Sequence, residues 1–100
     1  MRSRYAAYAL GKVSYIMQTQ HPAGAAYQTD KRAWRKGLKL FCQTTTFLGL
    51  RILADAQLSS KEATVTFHAL LQQQGQDASF TEKSLFRQEN GRWLYVEKQS

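Results

Sequence analysis

The sequence predicts one α+β domain whose N-terminal helices pack on the concave face of a curved, mainly antiparallel four-stranded sheet. Apolar residues recur at helical spacing through about residues 1–45, and they alternate with polar residues from Phe47 to about residue 98. Asn90-Gly91 interrupts the second region, and this dipeptide favours a tight hairpin because both residues tolerate positive φ. One hundred residues with 43% hydrophobic content suffice for one core, so a single domain is expected over residues 1–100.

The helical region divides into three segments. Gly11 is expected to end the first, because glycine adopts the left-handed conformation of a helix C-terminus at little cost. His21-Pro22 ends the second, since the residue before proline is pushed out of helical geometry. After a loop over residues 22–29, Thr29 or Asp30 is expected to cap the third helix through a side-chain oxygen.

Four strands are predicted after Phe47, at about residues 47–55, 63–72, 79–89 and 92–97, with a polar turn over residues 72–77. In the first strand, the residues expected on the two faces alternate along the chain, and both faces carry apolar residues. This indicates a strand that is covered on one side and lines something on the other. Strands of about ten residues curl when they twist strongly. A curled sheet closed by helices is expected to enclose a pocket.

The net charge of +7 lies in the N-terminal part of the chain. Residues 1–39 hold eight basic residues and one acidic residue, whereas residues 40–100 hold six of each. Such an asymmetry indicates either an anionic partner or only solubility and a neighbouring acidic surface, and the second explanation is favoured.

The densest basic segment lies on the third helix, in residues 31–39. Its basic side chains are Lys31, Arg32, Arg35, Lys36 and Lys39. They could bind phosphates, but no exposed aromatic residues alternate with them for base stacking, because Trp34 belongs to the apolar face with Leu38, Phe41 and Cys42. A solvated helix face is therefore the preferred interpretation, and a nucleic-acid partner is the less favoured one.

The chain has one cysteine and two histidines, which excludes an internal disulfide and falls short of a usual structural zinc set. We expect no metal, no cofactor and a reducing cytoplasmic location. No apolar run approaches the ~20 residues of a membrane span, and the first residues do not resemble a signal peptide. There is also no glycine-rich phosphate loop and no nucleophile elbow.

Four stretches resemble the YchJ family of bacterial proteins in order and spacing: "MRSRYAAYALGKVSYIMQTQHP", "FLGLRIL", "ATVTFHALL" and "FTEKSLFRQENGRWLYVE". The resemblance runs from Met1 to about Glu97 and is weakest over residues 23–46. It implies a nuclear transport factor two-like (cystatin-like) fold, a cone in which a curved sheet wraps around helices. Members usually carry a cysteine-rich zinc motif (SEC-C) beside this domain. These residues lack it, so its metal is not inherited here. Gln20 and Phe47 also stand where the family usually has tryptophan.

Six residues are the main candidates for a site between the first helix and the third strand: Arg4, Tyr5, Tyr8, Glu82, Ser84 and Phe86. The favoured interpretation is a structural ion pair between Arg4 and Glu82, with the two tyrosines packing the helix into the cone. In the alternative interpretation, Arg4 binds an anionic ligand at the pocket mouth. Glu82 is then the leading general acid or base.

The remaining reactive side chains have simpler explanations. His21 is expected to cap backbone carbonyls at the end of the second helix, and a catalytic role is the alternative. His68 is expected to be an exposed or half-buried sheet residue, and Asp55 a strand-end residue. Cys42 fits a small core residue better than a nucleophile.

Three function classes remain open from the residues and the resemblance. The first is a non-catalytic module that binds a small molecule or a protein in the pocket, with a homodimer through the sheet face as a further expectation. The second is a lyase, isomerase or hydrolase that uses Glu82 with Tyr5, Tyr8 or His21, which a pocket filled by Trp93, Phe86 and Tyr8 would exclude. The third is a nucleic-acid or acidic-protein binder that uses residues 31–39.

Overall fold

The computed structural model describes residues 1–99, in which three helices are followed by the strands of one antiparallel sheet. The elements are α1 Arg2–Leu10, α2 Val13–Gln18, α3 Lys31–Thr44, β1 Thr45–Gln57, β2 Glu62–Gln73, β3 Gln76–Asp77, β4 Phe80–Glu89 and β5 Arg92–Lys98. The strand order is β1-β2-β4-β5, and β3 pairs with β2. The sheet is curved and unclosed. Because the helices come first in the chain and an antiparallel sheet follows them, the predicted α+β class is confirmed. No helix within residues 1–99 is both long and apolar enough to cross a bilayer.

The predicted chain reversals are confirmed because they depend on local chemistry. Gly11 ends α1 with φ of 70°, and the backbone N–H groups of Gly11 and Lys12 donate to the carbonyls of Tyr8 and Ala7 in the last turn of that helix. Asp30 caps α3, since its side chain accepts a hydrogen bond of 3.1 Å from the N–H of Ala33. Asn90 and Gly91 have φ of 53° and 77°, as the tight hairpin between β4 and β5 requires.

The strict alternation predicted for the first strand is wrong. The register of β1 against β2 shifts between Phe47 and Gly49 and again between Ile52 and Ala54. The unmatched residues Leu48 and Leu53 are 56% and 53% exposed. Each bulge adds one residue to one strand, so side chains beyond it change faces relative to a regular strand. Phe47 and Ile52 consequently pack against the same core cluster.

The polar turn predicted over residues 72–77 is shorter than expected. Gln76 and Asp77 form β3 by pairing with Gln73 and Gln72, and the turn itself is reduced to Gln74-Gly75. The sheet therefore has a short fifth strand that the sequence pattern did not predict. Ser79 then bonds to the backbone of Leu71, which satisfies polar groups where regular pairing stops.

The core lies between the helices and β2. Its buried members on β2 are Phe67, Ala69 and Leu71, and partly buried residues packed against them include Tyr5, Phe41, Phe47, Leu50 and Ile52. Aromatic contacts join the helices to the sheet, with ring centroids 5.7 Å apart for Tyr5 and Phe47. This edge-to-face packing holds α1 over the concave face of the sheet.

The segment after α2 extends the sheet beyond β5. The backbone N–H of Tyr95 donates to the carbonyl of Thr19, and the N–H of His21 donates to the carbonyl of Tyr95, each at 2.8 Å. Gln20 thus forms an isolated parallel bridge with Tyr95. α2 accordingly ends at Gln18, before the predicted boundary at His21-Pro22.

Candidate functional site

A cavity of about 380 Å³ lies between the helices and the concave face of the sheet. Its lining residues are Met1, Arg4, Tyr8, Gln20, Ala26, Leu38, Phe41, Phe67, Phe80, Glu82 and Tyr95. Rings and aliphatic side chains form most of the wall, and a few polar groups converge on it. An apolar cavity of this size with a small number of placed polar groups is typical of a small-molecule site.

Arg4 is the buried cation of this cavity. α1 places its side chain towards α2, and the residue is 6% exposed. Nη1 donates to the carbonyl of Ile16 at 3.1 Å and to Oγ1 of Thr19 at 2.6 Å. The guanidinium carbon lies 4.8 Å from the centroid of the Tyr95 ring. Burial lowers the pKa of Arg4, and the neighbouring phenols of Tyr8 and Tyr95 offset part of this effect.

Glu82 is half-buried on β4, and two hydroxyl groups hold its carboxylate. Oε2 accepts hydrogen bonds from the Tyr95 hydroxyl at 2.8 Å and from Oγ of Ser84 at 2.5 Å. Burial raises the pKa of Tyr95 well above its usual value, and the hydrogen bond to Glu82 adds to this shift. Tyr95 therefore stays protonated and acts as a donor to the carboxylate.

The predicted ion pair between Arg4 and Glu82 is wrong. Within residues 1–99 Arg87 forms a salt bridge with Glu62 and the His21 ring contacts the carboxylate of Glu89, and neither contact includes Arg4 or Glu82. Tyr95 contacts both predicted partners instead, with its ring beside Arg4 and its hydroxyl on Glu82. The two charged residues are thus connected through Tyr95 and not by a direct ion pair.

Tyr95 is the main site residue that sequence reasoning missed, although a signal for it was present. The two-residue turn at Asn90-Gly91 sets the register of the hairpin, in which Tyr95 pairs with Phe86. Phe86 shares a strand face with Ser84 and Glu82, because side chains two residues apart point the same way. Extending the hairpin register from the turn would have placed Tyr95 on the same face of the sheet as Glu82, although four residues along β4 from it.

The other candidates from α1 and β4 divide into two groups. Arg4, Tyr8 and Glu82 line the cavity, whereas Tyr5, Ser84 and Phe86 lie outside its lining. Tyr8 packs against Phe41, and burial raises the pKa of its phenol. Ser84 is fully buried and Phe86 contacts the edge of Tyr95. The hydroxyl of Tyr5 is buried without a hydrogen-bond partner among residues 1–99.

The role predicted for the His21 ring at the end of α2 is wrong. Its Nδ1 accepts a hydrogen bond of 3.0 Å from the N–H of Ala23, so the ring meets a donor and not the carbonyls of the last helical turn. Its Nε2 contacts the carboxylate of Glu89. His21 is buried but does not line the cavity, so the fold does not bring it to Glu82.

The remaining candidates lie away from the cavity. His68 is half-buried as predicted and contacts Oγ1 of Thr81 at 2.8 Å. Asp55 is exposed on β1. Burial raises the pKa of the Cys42 thiol, which disfavours the reactive thiolate. Among the described residues, no three His, Cys, Asp or Glu side chains are grouped so as to hold a metal ion.

The basic face of α3 makes local contacts. Nζ of Lys31 donates to the Tyr27 hydroxyl at 2.6 Å and lies 4.0 Å from the centroid of that ring. Arg35 donates to Oγ of Ser14 at 3.1 Å. Arg35 and Lys39 also line a second groove beside the start of α2.

Several known proteins are similar to this chain. The UPF0225 protein of Bordetella pertussis is 36% identical over 97 residues, which cover 97% of this chain and 66% of that protein. The UPF0225 protein of Vibrio parahaemolyticus is 33% identical over 97 residues, or 55% of its length. This chain therefore spans between half and two thirds of these relatives.

Two solved structures have the same fold. The solution structure of RPA3114, a SEC-C motif containing protein from Rhodopseudomonas palustris, has a TM-score of 0.80 and 33% identity, and the match covers 100% of this chain and 74% of that one. The crystal structure of a SEC-C motif containing protein from Psychrobacter arcticus has a TM-score of 0.75 and 26% identity, and the match covers 96% of this chain and 55% of that one.

The family model described as "YchJ, middle NTF2-like domain" matches residues 1–98. The chain therefore belongs to the YchJ family and corresponds to its middle domain, which is similar to nuclear transport factor two.

Proposed function

We propose that this domain is a non-catalytic binding module, which takes a small and mainly apolar molecule in the cavity between the helices and the sheet. The observation that carries the proposal is the composition of that cavity. Aromatic rings line it, and the polar groups of Arg4, Glu82 and Tyr95 are connected to one another on its wall. Such a cavity supplies apolar contact area for affinity and a few polar groups for orientation.

The apolar wall has both a buried and an accessible part. Phe67 is 2% exposed at the base, whereas Phe80 is 41% exposed, and their ring centroids are 5.8 Å apart. Leu38 and Phe41 of α3 complete this wall. Burying apolar ligand surface here stabilises the complex by about 25 cal/mol per Å² before the entropic cost of association.

The polar groups favour binding over catalysis. Oε2 of Glu82 already accepts two hydrogen bonds, from the hydroxyl groups of Ser84 and Tyr95. A general base needs a lone pair directed at the substrate proton, and a general acid needs a proton that it releases readily. The raised pKa of Tyr95 keeps its proton in place. His21, the other candidate, is paired with Glu89 outside the lining.

A catalytic function is the second candidate, and one observation favours it. A pocket filled by Trp93, Phe86 and Tyr8 would have excluded an enzyme. Of these three side chains only Tyr8 lines the cavity. Glu82 also keeps Oε1 for a substrate, because its two hydrogen bonds are both made through Oε2. A lyase, isomerase or hydrolase reaction through Glu82 is therefore the alternative.

Chemical-shift titration of the ¹⁵N-labelled full chain tests the proposal, with benzyl alcohol, phenylacetamide and phenylacetate as probes. We expect at least one probe to produce saturable shifts that concentrate on the cavity lining. Leu38→Trp should weaken them, because the larger ring occupies the cavity that Leu38 lines. Leu40→Trp is the matched control on the same helix, since Leu40 is 60% exposed and outside the lining.

Two results would change the conclusion. An absence of saturable shifts with all three probes, or equal binding by wild type and Leu38→Trp, would contradict a binding cavity. A slow chemical conversion of a probe that Glu82→Gln abolishes would favour the catalytic alternative.

A further inference from the structure

We propose that the molecule taken by this cavity is a monocarboxylate, whose carboxylate pairs with the guanidinium of Arg4 while its apolar body packs against Phe41 and Phe67. The inference rests on the proposed binding function and adds the chemical class of the ligand. Its starting observation is that Arg4 is a buried cation for which the fold supplies no acidic partner among residues 1–99.

An unpaired buried charge is costly. Arg4 is 6% exposed, and a charge removed from water is normally paired with an opposite charge. The rings of Tyr95 and Tyr8 lie 4.8 and 6.0 Å from its guanidinium carbon, which offsets part of the cost but leaves the charge in place. A bound anion would supply the missing partner.

The Arg4 guanidinium also has N–H groups that are not used in its hydrogen bonds to Ile16 and Thr19. Its hydrogen bonds to Ile16 and Thr19 are both made through Nη1, and the Tyr8 phenol also interacts with the guanidinium. Nε and Nη2 are left by these two bonds for a ligand, and Arg4 lines this cavity as well as a neighbouring groove with Thr19 and Trp93. Two parallel N–H groups on one edge match the two oxygens of a carboxylate in a bidentate pair.

The cavity is lined by one cationic and one anionic side chain, Arg4 and Glu82, so an anionic ligand with one negative charge is favoured over a dianion. Glu82 lines the same cavity, so a dianion such as a phosphate monoester would meet a like charge there. A monocarboxylate has one negative charge and is therefore repelled less strongly by the Glu82 carboxylate. The aromatic wall formed by Phe41, Phe67 and Phe80 suits an aryl or branched aliphatic body.

Isothermal titration of the full chain tests the assignment with phenylacetate, its neutral analogue phenylacetamide, and benzylphosphonate. We expect phenylacetate to bind about 10- to 100-fold more tightly than phenylacetamide, as a charge-assisted bidentate pair requires. Benzylphosphonate should bind more weakly than phenylacetate. The advantage of phenylacetate should disappear in Arg4→Met and persist in Arg2→Met, because Arg2 is an exposed residue of the same helix outside the lining.

The outcomes separate this inference from the proposed function. Equal binding of phenylacetate and phenylacetamide to wild type would overturn the carboxylate assignment and leave the binding cavity intact, whereas no binding of either would overturn the binding function itself. Tighter binding of benzylphosphonate would overturn the monocarboxylate class. If Arg4→Met does not fold by circular dichroism, the wild-type comparison still decides, and Arg4→Lys should lose most of the preference because lysine lacks the forked edge.

Discussion

The hydroxyl of Tyr95 donates a hydrogen bond of 2.8 Å to Oε2 of Glu82, and its ring lies beside the guanidinium of Arg4. This one side chain therefore connects a cation on the first helix to an anion on the sheet that do not touch each other. Ser84, two residues further along β4, donates to the same oxygen of Glu82 and fixes the carboxylate. The cavity is thus bordered by a preorganised set of polar groups and not by a closed ion pair.

Removing the Tyr95 hydroxyl should destabilise the domain. Tyr95→Phe keeps the ring beside Arg4 but removes a hydrogen bond to a half-buried carboxylate, so we expect the free energy of unfolding in urea to fall by about 1–2 kcal/mol. Tyr15→Phe is the control, because it removes an exposed hydrogen bond of 2.9 Å to Ser3. That variant should lose less than about 0.5 kcal/mol. Equal losses in both variants would contradict the role of Tyr95.

The same residue predicts an alkaline stability difference. The pKa of Tyr95 is raised in the folded state by burial and by Glu82, so the folded protein holds this proton more tightly than the unfolded chain. The resulting stability is fully present below the unfolded pKa of about 10 and is lost as pH rises through the folded pKa. Wild type should therefore lose its advantage over Tyr95→Phe above about pH 10.

Urea denaturation of both proteins across the alkaline range measures this difference. The lowered pKa of Arg4 acts in the opposite direction, but Arg4 is present in both proteins and largely cancels. A difference that is constant from neutral to alkaline pH would show that the raised pKa of Tyr95 is not linked to folding.

Two glycine substitutions should act in opposite directions. A Cβ on Gly24 would lie 1.9 Å from the carbonyl oxygen of Val96, so Gly24→Ala must displace the segment after α2 from β5. We expect a loss of more than about 2 kcal/mol in urea denaturation. Gly37→Ala on α3 meets nothing within 4 Å and should stabilise by about 0.5–1 kcal/mol. Destabilisation of similar size in both variants would contradict the close approach at Gly24.

The imidazole of His21 should stabilise the loop after α2. Its Nδ1 accepts from the N–H of Ala23, so His21→Ala leaves that donor without its partner and should cost about 1–3 kcal/mol in thermal unfolding. His21→Asn should recover part of the loss, because Oδ1 of asparagine can accept the same hydrogen bond. His68→Ala, at a half-buried sheet position, is the control. Asparagine and alanine variants of equal stability would contradict this role.

The basic face of α3 should not act as a polyanion site. Lys31 is held against Tyr27, and Arg35 is bonded to Ser14, as expected of a local helix surface. We therefore expect weak retention on heparin, with elution near about 0.15 M salt. Retention to much higher salt, lost when Lys36 and Lys39 are replaced by glutamine, would support the nucleic-acid alternative.

Several residues of the site could be predicted from the sequence. The contacts between these residues could not, because they depend on segments that are distant in the chain. Arg4, Tyr8 and Glu82 were expected at the cavity and do line it. Their relation to one another was predicted wrongly, because Tyr95 is separated from Arg4 by most of the chain. The two come together through the segment after α2, since Thr19 bonds to Arg4 and also pairs with Tyr95. Opposite charges that line one cavity need no direct pair when a third side chain contacts both of them, as Tyr95 does here.

The sequence by itself determined the elements whose signals are local. Gly11 ended a helix, Asp30 capped another and Asn90-Gly91 formed a hairpin, because backbone conformation at these positions depends on the residues themselves. The change of hydrophobic period at the end of α3 likewise determined the α+β class. The tertiary structure alone decided the bulges at Leu48 and Leu53, the pairing of residues 19–21 with β5 and the neighbours of Arg4. These features arise when separate elements share one core, and the packing energy of that core outweighs the regular alternation of a single strand.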